Sequence, residues 1–278
     1  MTSGAGMIVF SALQLQQWIG AFFWPFLRIL ALLSTAPAFG SAQVPIQLRV
    51  GLAVLVALAL APALPAMPPV RLDSALGWTL VVQQLLVGGV VGLAMSLILS
   101  SVQLAGSIVG LQMGLGFSTL FDPLQGVEVT SLASFLNLLA LLMFLDINGH
   151  LLLLAVLARS FTLVPVGAAQ GAGIGAGGWH ALAREGGALF SLGLAMAAPA
   201  LGVLLIANLG LAILSKLSPQ LNLFAIGFPL FFVLGLLALY LLMPVMQSIV
   251  HHLVDYGVDL AGGLLRQGGA ASRGLAGA

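Results

Sequence analysis

A chain of 278 residues that is 61% hydrophobic and only 5% charged lacks the polar surface needed to cover a soluble globule. Its mean hydropathy of +1.19 and its 35 glycines describe an integral membrane protein whose helices approach one another closely. A net charge of +1 offers no basic footprint for nucleic acid, and zero cysteines exclude disulfides, thiolate nucleophiles and thiolate metal sites.

The first twenty residues, MTSGAGMIVFSALQLQQWIG, carry no lysine or arginine before their apolar stretch, unlike a cleavable signal peptide. A bilayer core about 30 Å thick takes roughly 20 apolar residues per helix. By that measure six apolar segments are predicted, at Trp18 to Leu33, Val44 to Leu60, Leu76 to Leu99, Leu132 to Leu157, Leu189 to Leu214 and Leu223 to Met246. An even number places both termini on one side. The expected fold is all-α, a polytopic membrane chain of kinked helical hairpins forming one integral-membrane domain over 1–278, without a sequence repeat.

Several of these segments are irregular. Pro25, Pro37, Pro62, Pro199, Pro229 and Pro244 lie within or beside the apolar runs, and each removes a backbone donor. The third segment runs on through SSVQLAGSIVGLQMGLGF, too long for one simple crossing. The fourth is interrupted by Asp146, Asn148, Gly149 and His150. Irregular backbone at membrane depth survives only inside protein or beside water, so broken helices within an assembly are expected. Charge gives a weak orientation: Arg71, Arg159, Arg184, Arg266 and Arg273 share the side of the termini, which the positive-inside rule makes cytoplasmic, against Arg49 and Lys216.

Small residues recur every fourth position at Gly88, Gly92, Ser96 and Ser100, and again at Gly106, Gly110 and Gly114. They mark close helix packing, or a smooth face for a neighbouring subunit. GLQMGLGFSTLFDP, residues 110–123, then leaves the helical pattern through Gly114 and Gly116 and stops at Asp122-Pro123. It is either a packed re-entrant loop or a pore plug. In a plug, flexible backbone would carry the apolar Met113, Leu115, Phe117, Leu120 and Phe121 into a channel and exclude water.

Asp146 and His150 are ionisable groups in an apolar region, with Asn-Gly between them favouring a turn over one helical face. A structural turn is expected, with a proton relay as the alternative. GAGIGAGG at 171–178 fits GxGxxG in letters but follows no strand, so a linker is expected. His251, Asp255 and Asp259 share a helical face and are expected to form a polar helix end rather than a metal site. Arg28 and Arg49, at segment ends, are expected to snorkel toward headgroups. No phosphate loop, HExxH, GxSxG or cysteine nucleophile is present, so neither catalysis nor a cofactor is expected.

FWPFLRILALLSTAPAF, GLQMGLGFSTLFDP, NGH at 148–150 and PQLNLFAIGFPL at 219–230, in this order over about Trp18 to Pro244, resemble the FliR family of flagellar biosynthetic proteins. The resemblance implies a subunit of the type III protein export gate in the bacterial inner membrane, at the flagellar basal body. It would sit with FliP, FliQ and FlhB, lining a channel for unfolded flagellar proteins. It implies a FliP-like half (1–175) followed by a FliQ-like half (176–278), much of it above the membrane plane. Leu115 to Pro123 matches the family's channel plug, with Phe117 and Phe121 at its tip. Ser215 to Phe224, including Lys216, Pro219, Gln220 and Asn222, matches a hairpin turn that faces the cytoplasm and a partner. That places Lys216 opposite to its side under the positive-inside rule. Asp146 departs from the apolar residue expected before NGH. The injectisome counterpart, a small-solute secondary transporter and a passive scaffold are the rival readings.

Overall fold

The computed structural model describes residues 12–41, 43–68, 74–116, 130–167, 176–218, 220 and 223–276, and all regular structure among them is helical. In chain order the helices are α1 (Ala12–Thr35), α2 (Ile46–Leu60), a 3₁₀ turn (Ala61–Ala63), α3 (Ala75–Gln112), α4 (Ser131–Asp146), α5 (Gly149–Leu163), α6 (Ala176–Leu217) and α7 (Leu223–Ala276). Five of them are long and apolar enough to cross a membrane, and six crossings result if α4 and α5 count as one. The chain is a polytopic, all-α membrane protein.

Three helices exceed the bilayer by a wide margin. At 1.5 Å per residue, α3, α6 and α7, of 38, 42 and 54 residues, run about 57, 63 and 81 Å, roughly twice or more the hydrocarbon thickness. The expected breaks are absent from them. α3 is continuous through SSVQLAGSIVG, α6 through Pro199, and α7 through Pro229 and Pro244. Each proline deletes one backbone donor, and an apolar environment with no competing water favours keeping the remaining backbone pairs. Ala176 to Gly178, expected in the linker, instead begin α6, while 171–175 lie outside the described residues.

Among the described residues, a break within an apolar stretch falls where the turn was expected. α4 ends at Asp146, α5 begins at Gly149, and the two are bent by 66°. Asn148 holds a φ of 57°, the left-handed region that its short amide side chain tolerates. Its carbonyl accepts from the N–H groups of Leu151 (2.9 Å) and Leu152 (3.2 Å), starting α5. Gly149 is glycine for a steric reason, because a Cβ there would collide with the Phe144 ring. Each helix alone rises only about 22–24 Å, too short to cross a bilayer unaided.

The chain divides into two compact units, neither continuous in sequence. The first comprises Met1–Leu93, Leu153–His180 and Leu260–Ala278. Here α1 packs on α2, and α1 crosses α3 so closely that a Cβ at Gly88 would strike the Arg28 carbonyl and one at Gly92 the Thr35 hydroxyl. Trp24, wholly buried, donates its indole N–H to the Pro68 carbonyl at 3.0 Å. α2 buries only Ala53 and Ala57, one turn apart, and leaves Ile46, Leu55 and Leu58 exposed. A helix apolar on all sides but buried on one narrow stripe presents the rest to lipid or to another chain.

The second unit comprises Ala94–Leu152 and Ala181–Asp259. α4 lays Leu132, Ala133, Leu136, Ala140 and Phe144 into the core at helical spacing, while Phe135, Leu138, Leu142 and Leu145 stay exposed. The glycine series of α3 fits against it: a Cβ at Gly106 would come within 2.7 Å of Ala133 Cα. Gly193 of α6 lies under Leu104, and Gly257 of α7 under Met95, where added Cβ atoms would sit 2.8 and 2.9 Å from side-chain atoms. Small residues thus allow close approach at these helix crossings.

Candidate functional site

The 110–123 stretch begins as the end of α3. Gly114 has a φ of 82°, so the helix stops on a left-handed residue. The Leu115 N–H donates to the Gly110 carbonyl (3.0 Å) and the Gly114 N–H to the Leu111 carbonyl (3.1 Å). That pair of bonds is a Schellman cap, which satisfies the last carbonyls and turns the chain sharply out of the helix. The expected exit through Gly114 is therefore present. Phe117, Leu120, Phe121, Asp122 and Pro123 lie outside the described residues, as does everything from 117 to 129.

The chain returns close to where it left. Thr130 is the N-cap of α4, its Oγ1 accepting the Ala133 N–H at 3.4 Å, and it lies directly over Gly110 of α3. A Cβ on Gly110 would fall 3.0 Å from Thr130 Oγ1, and Gly106 meets Ala133 one turn further down. Departure and return are thus bound together by glycine contacts and by two helix caps. That arrangement holds the end of α3 and the start of α4 near one point.

Met113, the last residue before Gly114, is wholly buried. Its thioether fills the space beside Gly235 of α7, where an added Cβ would collide with Met113 Cγ and Sδ and lie 2.8 Å from Cε. Gly114, Leu115 and Gly116 are half-buried. Of the apolar residues proposed for this stretch, Met113 therefore forms part of its packed base.

A second site was missed in the sequence. Arg28, expected to snorkel, is 0% exposed in the first unit. Its Nε donates to Gln84 Oε1 (2.8 Å), Nη1 to Ser160 Oγ (2.8 Å) and Nη2 to the Val164 carbonyl (3.0 Å). Its guanidinium carbon stands 4.0 Å from the centre of the Phe161 ring. None of these partners is an acid, so the charge is held by neutral dipoles and one aromatic face. The planar fork spans α3 and the end of α5 from α1, which an ammonium could not do. Snorkelling loses here because those acceptors lie 56 and more residues away in sequence and out of reach of any local pattern. Gln84 Nε2 is buried without a partner, its amide turned so that Oε1 serves the arginine. Arg49, half-buried, donates to the Ser41 carbonyl, and its Nε is buried unpartnered.

The remaining sequence candidates do not converge. Lys216 is exposed in the last turn of α6, where a cation suits the helix dipole; Ser215 bonds its own helix at Ala212. Gln220 is exposed, Pro219 and Asn222 lie outside the described residues, and Phe224 lies in the first turn of α7. Asp146 is exposed, whereas His150 is half-buried with Nδ1 unpartnered. His251, Asp255 and Asp259 are exposed on one face, though in the interior of α7 and not at its end. Nearby, Tyr256 donates to Glu185 at 2.7 Å and ties α7 to α6. No group of three metal-ligating side chains occurs among the described residues.

Residues 19–256 match the family described as bacterial export proteins, family 1. The chain is 41% identical over 261 residues to the flagellar biosynthetic protein FliR of Pectobacterium carotovorum subsp. carotovorum, covering 94% of this chain and 98% of the relative. It is 39% identical to the FliR of Escherichia coli (strain K12), over 89% of this chain and 93% of the relative. The FliR of Bacillus subtilis (strain 168) is 30% identical over 88% and 94% respectively.

Proposed function

Because the chain belongs to the bacterial export proteins, family 1, with the flagellar biosynthetic FliR proteins, and is thereby a membrane component of the flagellar export apparatus, we propose that it is a structural and gating subunit of that apparatus. It would help form the inner-membrane channel, at the flagellar basal body, through which unfolded flagellar proteins leave. Its partners would be FliP and FliQ subunits and FlhB, with 1–175 the FliP-like half and 176–278 the FliQ-like half. The hairpin turn around Lys216, Pro219, Gln220, Asn222 and Phe224 would face a partner.

The observation that carries the gating role is the pinned base of the 117–129 segment, with Gly110 under Thr130 and a Schellman cap at Gly114. A segment that displaces to pass cargo and then recloses needs fixed ends, and an apolar seal adapts to many side chains without holding any. The need for partners is supported by exposure: Ile206, Leu209 and Leu217 on α6 and Tyr240 and Leu241 on α7 are 65–75% exposed. α3, α6 and α7 are also too long for lipid alone to cover them.

The experiment has two parts. The tagged protein, co-expressed with its FliP-like and FliQ-like neighbours and purified in mild detergent, is expected as one large complex by native mass. A stable monomer indifferent to them would refute the assembly role. Deleting Gly116–Leu120 is expected to make cells leak small ions, and unchanged conductance would refute the plug.

A further inference from the structure

Among the described residues, the atoms that a side chain at Gly235 would meet first are Met113 Cγ, Sδ and Cε, so one thioether fills the notch that this glycine leaves in α7. Nothing polar joins the pair; the seat is held by dispersion, with the flexible methionine shaped to the gap. Around it α7 is held loosely by its own chain. Val233, Leu236 and Leu237 are exposed, Gly235 and Leu239 are buried, and only 22% of the most apolar part of α7 is buried. The seam that fixes this stretch of α7 to the end of α3 is thus narrow.

The other side of Met113 is stiff. Its own N–H donates to Val109 at 2.9 Å, and the next two N–H groups close the Schellman cap onto Leu111 and Gly110. Gly110 in turn bears Thr130, the cap of α4. The backbone at Met113 is thereby tied to the end of α3 and, through Gly110, to the start of α4.

Resting on the proposed export function, we infer that Met113 on Gly235 is a positioning contact by which α7 controls the end of α3. Motion of α7 near Gly235 unseats the methionine and shifts the point at which the chain leaves α3. Export then requires this seat to open, and an added side chain at Gly235 keeps it from closing.

The chain has no native cysteine, so Met113→Cys with Gly235→Cys gives a single addressable pair. The contact places the two Cβ positions within about 4 Å, inside disulfide range. In cells lacking the native gene, oxidation of this double variant is expected to cross-link it. Secretion of flagellar protein into the medium should then fall to the level of cells without the chain, and reductant should restore it. A complete cross-link with secretion unchanged would show a static contact and overturn the inference, as would failure to cross-link. Secretion persisting in cells without the chain would instead overturn the export function itself. Separately, Gly235→Ala is expected to hold the seat open and make cells leak small ions while secretion continues, and Met113→Ala, added to it, to give the methyl room and stop the leak. A leak that persists in the double variant would mean the two residues do not act through each other.

Discussion

Graded replacements of Arg28 separate the contribution of its buried charge from that of its planar fork of donors. Arg28→Ala removes three hydrogen bonds and the Phe161 contact and leaves Gln84 Oε1 and the Val164 carbonyl without their donor in a buried site. Because no partner is charged, the cost comes from the cavity left by a large buried side chain and from the orphaned acceptors, together about 3–5 kcal/mol. In detergent the lower end applies, because an unfolded membrane chain still finds partners for polar groups. Arg28→Met retains most of the volume and removes the charge with its desolvation cost, so its loss is expected near the 1–3 kcal/mol of orphaned acceptors, about half that of alanine. Arg28→Lys retains the charge but cannot reach acceptors on two other helices at once, and is expected to cost at least as much as methionine. Adding Gln84→Leu to Arg28→Met replaces both members by apolar groups and should recover part of the loss. The assay is thermal unfolding of the purified complex, with steady-state protein level in cells as a check. A wild-type midpoint for Arg28→Lys beside a severe loss for Arg28→Met would refute the argument, because the charge and not the fork would then be what matters.

Glycine substitutions on α3 and α6 should divide by what lies above them. Gly106→Val is expected to be far more damaging to folding than Gly110→Ala, since the first meets the α4 backbone at Ala133 and the second a movable Thr130 hydroxyl; protease resistance in detergent reads the difference. Gly202→Ala and Gly210→Ala meet nothing within 4 Å in this chain and should stabilise the isolated protein by up to about 1 kcal/mol each through helix propensity. If they lower its melting temperature instead, the exposure of that face is wrong. Asn148→Gly is expected to be neutral and Asn148→Ala to cost about 1–2 kcal/mol, because φ is 57° there; equal melting temperatures for the two would refute a strained left-handed turn.

What could be read in the sequence was local or compositional. The hydrophobic fraction and scarce charge dictate a membrane environment whatever the fold. Asn148-Gly149 specifies a turn through its own backbone preferences, and Gly114 a helix stop, because both depend on residues within one helical turn. The glycine spacing marked helix crossings on α3 without saying what crosses. Three things waited for tertiary structure. Whether Pro199, Pro229 and Pro244 break a helix depends on the surrounding contacts, and α6 and α7 run through them. Arg28 looked like a headgroup ligand until Gln84, Ser160 and Val164, from elsewhere in the chain, supplied its acceptors. Met113 looked like free apolar material for a plug, and only the missing side chain at Gly235, 122 positions on in the sequence, gives it a seat. A side chain's environment is made by residues that folding brings to it, and no window along the chain contains them.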